Sequence, residues 1–225
     1  MDIADLESLR RIGSLDALYE AAERQDLSPA WIDRDPPILG PRPHSRFLPA
    51  HWRFDAARAT LEAAGQLIDV ALSERRNFTL RNPAPGTSFE TTRTLVAAYQ
   101  MIMPGEYAPS HRHAPHALRM ILDGEGLYSV VNGTRTPMNP GDIVLTPGGC
   151  WHGHGHEGTE TAYWLDVLDV LFPHLTEAMY VQRFPGGAEP VTATAELHPY
   201  RFSAEAIRTA LDQAPEGRIV LPTPD

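Results

Sequence analysis

The sequence contains no lysine, so all 19 of its cationic side chains are arginines. A genome-wide compositional bias explains this absence better than selection for bidentate guanidinium contacts at every position. Acidic residues number 29 and give a net charge of −10, which leaves no basic face large enough for a phosphate backbone. We therefore expect no nucleic-acid partner, and any anionic ligand must be bound by local arginines.

Cysteine and long apolar runs are also scarce. The single cysteine, Cys150, excludes an internal disulfide and fits a reducing compartment. No apolar stretch is long enough to span a membrane, and no positively charged start precedes an apolar segment. These absences predict a cytoplasmic protein without a membrane anchor or a secretion signal. Apolar residues make up 42% and charged residues 21%, as in ordinary folded domains.

The N-terminal part alternates helical patterns with proline-rich sequence. Residues 14–24 predict an amphipathic helix with Ser14 as its N-cap, and residues 55–72 predict a second helix capped by Asp55. The second helix has one apolar face, formed by Leu61, Ala64, Leu67, Ile68 and Leu72. Between the helices, residues 33–50 contain five prolines, too many for a helix or a central strand. They predict an extended arm.

Beyond Asn77 the sequence changes to short apolar runs separated by turns. The predicted strands are residues 94–103, 117–122, 126–131, 142–147 and 161–170. The predicted turns between them are residues 123–126, 132–135 and 139–142. Short strands at regular spacing are typical of an antiparallel barrel or jelly roll, so we expect a mainly β fold. A last helix is predicted at residues 203–211.

Six of the ten histidines fall in two clusters. In an extended "HRH", His111 and His113 point to the same side and can bind one cation. The sequence "HGHGH" gives His152, His154 and His156 the same parity, and its glycines allow a neighbouring group to approach closely. Any one of these histidines, taken alone, is better explained as a core or solvent-exposed residue. Two clusters within a strand pattern favour a metal site, because a barrel can bring distant strands together and imidazole is a common ligand.

Two motifs carry a resemblance to a known superfamily. "PGEYAPSHRH" with "DGEG" resembles the first cupin motif, and "PGDIVLTPGGCWHGHGH" resembles the second. The carboxylate ligand that is usual in the first motif is absent, since Ala117 and Leu118 stand at its place. With "HRH", "ALR" and "WHGHG" in this order, the sequence is similar to the gentisate 1,2-dioxygenase family and its salicylate and 1-hydroxy-2-naphthoate relatives.

The resemblance implies a single cupin barrel, a double-stranded β-helix of the jelly-roll type, with an N-terminal helical and proline-rich arm. It also implies Fe(II) bound by His111, His113 and His152. Three neutral imidazoles leave the cation its full charge, which suits a 2-hydroxybenzoate bound through its carboxylate and hydroxyl groups. The implied reaction is extradiol-type cleavage with O2 between the carboxylate- and hydroxyl-bearing carbons, as in aromatic compound catabolism.

Four further residues match substrate-contacting positions of the family: Arg75, Gln100, Arg119 and His154. Arg119 is expected to bind the substrate carboxylate in a catalytic role, the alternative being an arginine on the outer face of its strand. His154 is expected to act catalytically on the substrate hydroxyl or on the oxygen intermediate, the alternatives being a fourth ligand or a support for the ligands. The alternative to Arg75 is its neighbour, Arg76.

Other histidines and aromatic residues receive ordinary interpretations. His116 is expected to be exposed and His156 to be structural. Trp151 and Trp164 are expected in the barrel core rather than as platforms for ring stacking. Val96 stands where an aromatic residue appears in the salicylate-cleaving relatives, which makes salicylate itself a less secure substrate.

The resemblance also bears on domain organisation. We expect an arm at residues 1–88, a cupin barrel at 89–172 and a C-terminal extension at 173–225, the start of a second cupin or a tail. Gentisate dioxygenases are usually double cupins, so this chain supplies about half of the expected body. The alternatives to a dioxygenase are a metal-dependent cupin of another activity and a non-catalytic cupin remnant. The expected partners are a small aromatic acid, O2 and, because of the open barrel edge and the arm, a second copy in a homo-oligomer.

Overall fold

The structure, a computed structural model, describes residues 3–32, 40–69, 73, 75–196, 198 and 200–214. It divides the chain into two compact units, Met1–Ser45 and Arg46–Asp225. The unit at the N-terminus contains two helices, α1 (Ile3–Arg10) and α2 (Leu15–Glu23).

The predicted cap of α2 is confirmed. The side chain of Ser14 accepts a hydrogen bond from the backbone N–H of Ala17 at 3.3 Å, so it satisfies one donor of the first turn. Residues 33–39 of the predicted arm lie outside the described residues, and residues 40–50 form neither helix nor strand.

The larger unit contains the sheets and three further helices within the described residues. Its elements are α3 (Phe54–Leu67), β1 (Arg76–Thr79), β2 (Val96–Ile102), β3 (Tyr107–His113), β4 (Ala117–Asp123), β5 (Leu127–Val131), β6 (Thr134–Pro137), β7 (Ile143–Thr146), β8 (His152–His156), β9 (Ala162–Leu168), α4 (Leu171–Leu175), β10 (Val181–Arg183), β11 (Ala193–Thr194), β12 (Arg201–Phe202) and α5 (Ala204–Gln213).

Twelve strands of the described chain form two six-stranded sheets. The first has the order β1-β2-β9-β4-β7-β12 and the second the order β10-β3-β8-β5-β6-β11. All neighbours are antiparallel except β11 and β6. A buried apolar cluster combines residues of both sheets, among them Ile121 and Trp164 of the first and Leu127 of the second. The predicted mainly β jelly roll is therefore confirmed, and Trp164 lies in its core as expected.

The five apolar runs predicted as strands correspond to β2, β4, β5, β7 and β9. Strand β6 begins inside the predicted turn at 132–135, because Asn132 and Gly133 alone make the turn, with φ values of 46° and 80°. The sheets also take in β1, which precedes residue 89, and β10 to β12, which follow residue 172. The division into residues 1–88, 89–172 and 173–225 remains a prediction.

Helix α3 differs from its prediction at both ends. Its N-cap residue is Arg53, and Asp55 lies in the first turn, so the predicted cap is wrong. Leu61 is fully buried as expected, whereas Leu67 is 84% exposed. The chain turns extended at Ile68, which ends the helix directly after Leu67. Leu72 lies outside the described residues.

The buried face of α3 packs on the outer face of the first sheet. Leu61 forms a cluster with Met101 of β2 and Tyr163 of β9. The outward-facing side chains of these strands therefore contact the helix, and their inward-facing side chains line the barrel interior.

Candidate metal centre

Three histidines meet inside the barrel. Strand β3 supplies His111 and His113, and β8 supplies His152, which is the direct cross-strand partner of His111. One ring nitrogen from each lies within 4.8 Å of the others, and all three residues are buried. The structure therefore brings the predicted ligands together as a group that can hold a metal ion.

The backbone fixes which ring nitrogen of each histidine faces the interior. Each Nδ1 lies within hydrogen-bond distance of a carbonyl oxygen two residues away, so Nδ1 must be the protonated donor. The accepting carbonyls belong to Pro109, Pro115 and Cys150, at 3.0, 2.8 and 3.0 Å. Each Nε2 then keeps a free lone pair, which is the form that a metal ligand needs.

Two of these lone pairs are orphaned in the described part of the chain. The Nε2 atoms of His113 and His152 are buried without a hydrogen-bond partner. A buried acceptor left unpaired costs about 1–3 kcal/mol, and a divalent cation at this point would compensate for the loss. The residues therefore fit a transition metal ion.

Burial also keeps these imidazoles neutral. Desolvation, reinforced by the positive charge of Arg75, lowers the pKa of His111 to about 4. Burial and the charge of Arg119 hold the pKa of His152 well below its usual range. At neutral pH the ligand nitrogens are therefore free of protons before any cation binds.

The glycines of "HGHGH" leave space for other side chains on the outer face of the sheet. A Cβ atom at Gly153 would lie 2.4 Å from the hydroxyl oxygen of Tyr107, and one at Gly155 would lie 2.2 Å from that of Tyr128. The group that approaches the backbone closely is therefore an aromatic ring on each neighbouring strand. Because the rings take the outer face, the histidines between the glycines fill the inner one.

Arg119 lies inside the barrel, on the inner face of β4, and is fully buried. Its Nη1 donates a hydrogen bond to Thr146 Oγ1 at 2.6 Å, and its Nε lies 3.6 Å from Asp166 Oδ1. Its charge also lowers the pKa of His152 and His154. The guanidinium group is therefore held close to the histidines by residues of β7 and β9.

Asp166 was missed by the sequence reasoning. Its carboxylate accepts a hydrogen bond from Gln100 Nε2 at 2.6 Å, in addition to its ion pair with Arg119. The only signal in the sequence is that Asp166 shares the inward parity of Trp164 within an apolar strand. Gln100 Oε1 and Asp166 Oδ1 are buried and have no hydrogen-bond partner among the described residues.

Arg75, and not Arg76, is the arginine beside the centre. The charge of Arg75 lowers the pKa of His111, His113 and His154, and its buried Nε has no hydrogen-bond partner within the described residues. Arg76 instead donates to Glu106 Oε1 at 2.8 Å and to the carbonyl of Ile68. The guanidinium group of Arg76 thus already has structural partners, and the substrate-binding role of Arg75 remains a prediction.

His154 lies next to the three ligands. It is fully buried, and its ring centroid is 5.9 Å from that of His152 and 5.9 Å from that of Trp164. Both of its ring nitrogens lack hydrogen-bond partners among the described residues, and burial holds its pKa well below the usual range. A neutral, unpaired imidazole thus faces the interior beside the metal ligands.

The remaining residues singled out from the sequence lie apart from the centre. His116 is exposed, as expected, and its Nδ1 accepts a hydrogen bond from the N–H of Gly148. His156 is buried and lies 2.5 Å from the carbonyl oxygen of Glu160, a structural contact. Trp151 is only partly buried, with the guanidinium of Arg112 over its ring, so its expected place in the core is wrong.

Known proteins are similar to this chain in sequence and in fold. Residues 98–168 match the sequence model of the Cupin domain. The matched segment is a cupin domain. This cupin is 38% identical to a gentisate 1,2-dioxygenase of Ralstonia sp over 174 residues, which are 76% of this chain and 49% of the relative. It is 34% identical to a 5-aminosalicylate 1,2-dioxygenase of Comamonas sp, over 85% of this chain and 50% of that protein.

Solved structures agree with this similarity. A salicylate 1,2-dioxygenase from Pseudaminobacter salicylatoxidans superposes on this cupin with a TM-score of 0.79 at 28% identity, covering 90% of this chain and 64% of the other. The predicted cupin fold and the similarity to the gentisate 1,2-dioxygenase family are thereby confirmed. This cupin spans about half the length of the curated relatives it matches. Among its described residues, no helix is long and apolar enough to cross a membrane.

Proposed function

We propose that this cupin is an Fe(II)-dependent dioxygenase that opens the ring of gentisate or a related 2-hydroxybenzoate with O2. The bond cleaved joins the carboxylate-bearing and hydroxyl-bearing carbons. The observation that carries the proposal is the group of three inward histidines with free Nε2 atoms and buried arginines beside them. The similarity to enzymes named gentisate and 5-aminosalicylate 1,2-dioxygenase supports the choice of reaction.

The charges around the centre favour a dianionic substrate. The three histidines are neutral, so they leave the full charge of a divalent cation uncompensated. Arg75 and Arg119 add two positive charges, and Asp166 contributes one negative charge. A 2-hydroxybenzoate that binds through carboxylate and deprotonated hydroxyl brings two negative charges, which lower this excess from three positive charges to one in a buried site. Iron(II) held by His111, His113 and His152 would supply Lewis-acid and redox chemistry toward the substrate and O2.

Two buried residues would bind and orient the substrate. Arg119 would hold the carboxylate, because a guanidinium group matches a carboxylate through two parallel hydrogen bonds. Its unpaired Nη2 is available for this contact, while Thr146 keeps Nη1 in place. His154 would hydrogen-bond the oxygen of the substrate hydroxyl, since a neutral imidazole has one donor and one acceptor nitrogen, and neither has a partner among the described residues.

The unpaired acceptors of the pocket favour a second polar substituent on the ring. Among the described residues, Gln100 Oε1 and Asp166 Oδ1 are buried acceptors without a hydrogen bond, and Asp166 Oδ1 has only its ion pair with Arg119 Nε at 3.6 Å. The second hydroxyl of gentisate and the amino group of 5-aminosalicylate are both donors, whereas salicylate has neither. A site built to bind a donor discriminates strongly against the analogue that lacks it.

The test is oxygen consumption by protein that was purified and reconstituted with Fe(II) without oxygen. The substrates are gentisate, 5-aminosalicylate, salicylate and 1-hydroxy-2-naphthoate. We expect one O2 consumed per gentisate and a strong near-ultraviolet absorbance from the ring-opened product. The kcat/KM for gentisate should exceed that for salicylate by at least about tenfold. An iron-loaded protein that turns over none of the four compounds would contradict the proposal and favour a cupin of another activity.

The location and assembly are also proposals. The free Cys150 fits a reducing compartment, and we propose the cytoplasm. We propose a homo-oligomer as well, because strand β10 leaves an exposed edge on the second sheet.

A further inference from the structure

Between two of the positions at which it pairs with β8, strand β3 carries one residue more than β8 does. Ala108 pairs with His154, whereas His111 pairs with His152, so three steps along β3 correspond to two along β8. Such an extra residue is a β-bulge. Because side chains alternate between the faces of a sheet, one inserted residue exchanges the faces of everything beyond it.

The exchange decides where the metal ligands point. Without the extra residue, Ser110 would stand opposite His152 with its side chain inward. His111 and His113 would then turn to the outer face, away from His152. The bulge therefore accounts for the inward direction of both β3 histidines, which "HRH" alone leaves undetermined.

Ser110 at the bulge is bound by the segment 184–189, which follows β10. Its N–H donates to the carbonyl of Gly187 at 2.7 Å, and its carbonyl accepts from the N–H of Phe184 at 2.9 Å. Its hydroxyl accepts from the N–H of Glu189 at 3.0 Å and lies 2.7 Å from the hydroxyl of Tyr107. Segment 184–189 thus supplies partners for the residue that the bulge removes from the β3–β8 ladder.

The segment is itself fixed at both ends. Before it, Val181 of β10 pairs with His113 in β3. At its other end, Glu189 is buried, and its carboxylate accepts a hydrogen bond from the N–H of Gly133 at 2.8 Å. This contact ties the segment to the turn between β5 and β6. The bulge is therefore clamped against the sheet by contacts that lie far away in sequence.

We propose that Ser110 and Glu189 are positioning residues of the metal centre. Their side chains contact Tyr107 and the backbone of Gly133 and Glu189, and we infer that they act by holding the bulge that turns His111 and His113 inward. The inference rests on the metal centre of the proposed function and is independent of the substrate and the reaction.

The experiment is a titration of the metal-free, full-length protein with Co(II), followed by its visible absorption. We expect Ser110→Ala and Glu189→Ala to weaken Co(II) binding by at least about tenfold and to change the intensity of the visible bands, because the geometry of the ligands is altered. Glu189→Gln keeps an acceptor for the N–H of Gly133 and should bind Co(II) as the wild type does. A role in stability alone would lower the unfolding midpoint and leave the spectrum unchanged.

Ser203→Ala is the matched control. It removes the hydroxyl that accepts from Ala206 N–H at the start of α5, so it loses a comparable hydrogen bond far from the bulge. It should lower stability without changing the Co(II) spectrum or affinity. If Ser110→Ala does not fold, the comparison of Glu189→Ala with Glu189→Gln decides. Folded alanine variants with wild-type affinity and spectrum would overturn the positioning role. A wild-type protein that binds no Co(II) would overturn the metal centre itself.

Discussion

In each of the three candidate ligands, Nδ1 contacts a backbone carbonyl and Nε2 faces the barrel interior. The Nδ1 contacts to nearby carbonyls hold every ring in a fixed tautomer and orientation before a cation binds. Preorganisation of this kind lowers the cost of ordering the ligands on binding. At the scale of single residues, the centre is therefore formed by the fold and does not depend on the metal.

The first prediction concerns His152, the ligand that β8 supplies. His152→Ala should lower the affinity for iron by at least about 100-fold and abolish oxygen consumption with gentisate. The metal-free variant should still fold, because the change removes an unpaired buried acceptor. Metal content by mass spectrometry and oxygen uptake measure both effects. His51→Ala, at an exposed position, is the control and should keep full metal content. Equal iron in both variants would contradict this assignment.

The second prediction concerns Asp166, which contacts Gln100 and Arg119. Asp166→Asn leaves the buried charge of Arg119 uncompensated, so the free energy of unfolding should fall by about 3 kcal/mol. It also replaces an unpaired acceptor, so the ratio of kcat/KM for gentisate to that for salicylate should fall by about tenfold. Urea unfolding and steady-state oxygen uptake measure the two effects.

Asp169→Asn is the control for this change. Asp169 follows the same strand, β9, and is only partly buried, and its carboxylate accepts from the N–H of His116 away from the centre. It should leave the substrate ratio unchanged. If Asp166→Asn leaves the ratio of kcat/KM for gentisate to that for salicylate unchanged, this carboxylate does not determine substrate preference, whatever its effect on stability.

At the scale of elements, the third prediction concerns the glycines of β8. Gly155→Ala would place a Cβ atom 2.2 Å from the hydroxyl oxygen and 2.3 Å from Cζ of Tyr128, so the ring must move off the sheet. The free energy of unfolding should fall by about 2 kcal/mol or more, as overpacking usually costs 1–3 kcal/mol. Gly13→Ala, with no atom within 4 Å of the added Cβ, is the control. Equal unfolding midpoints for the two variants would refute the packing role.

The elements were predictable where apolar residues alternate with turns. Strand β9 and the cap at Ser14 follow from local sequence, and both were found close to their predicted positions. Strand β3 has no such apolar pattern, since its inward positions carry ligands. Its bulge depends on residues 184–189, which no local pattern connects to it. The role of Asp166 was equally hidden, because the partners of this carboxylate lie on two other strands.

The fourth prediction concerns the pH dependence of the segment that holds the bulge. Burial raises the pKa of Glu189 above its ordinary value of 4.5. The folded state therefore favours the protonated carboxyl group. The stabilisation that comes from this protonation is complete below the ordinary pKa of 4.5 and is lost as the pH rises through the raised pKa. Glu189→Gln stays neutral, so it should be more stable than the wild type at neutral pH, and the difference should vanish in acid.

Urea unfolding of the metal-free protein on both sides of this pKa measures the difference. Glu205→Gln, in the first turn of α5, is the control, because this change removes a negative charge that stabilises the N-terminus of the helix. It should be slightly less stable than the wild type at neutral pH. A loss of stability in Glu189→Gln at neutral pH would show that the ionised carboxylate is the stabilising form.

At the scale of the whole molecule, the second sheet ends in an exposed edge. Strand β10 lies at this edge, and all three of its residues are exposed, including Val181 at 64%. The residues around it add exposed apolar side chains: Phe172, Leu175, Met179 and Tyr180. An open edge strand with exposed apolar side chains nearby in the chain is a template for pairing with another chain, and proteins usually cover such an edge or protect it with charges.

The last prediction follows from this edge. We expect the purified chain to sediment as a dimer at micromolar concentration, with β10 at or near the contact between the copies. Val181→Lys places a charge on the edge and should shift the protein to the monomer, because a charged side chain at an edge strand opposes pairing. Leu67→Lys is the control, since Leu67 is 84% exposed on α3 and lies in no edge strand, so this variant should remain a dimer. A wild-type monomer would refute the homo-oligomer, and a dimeric Val181→Lys would move the contact away from β10.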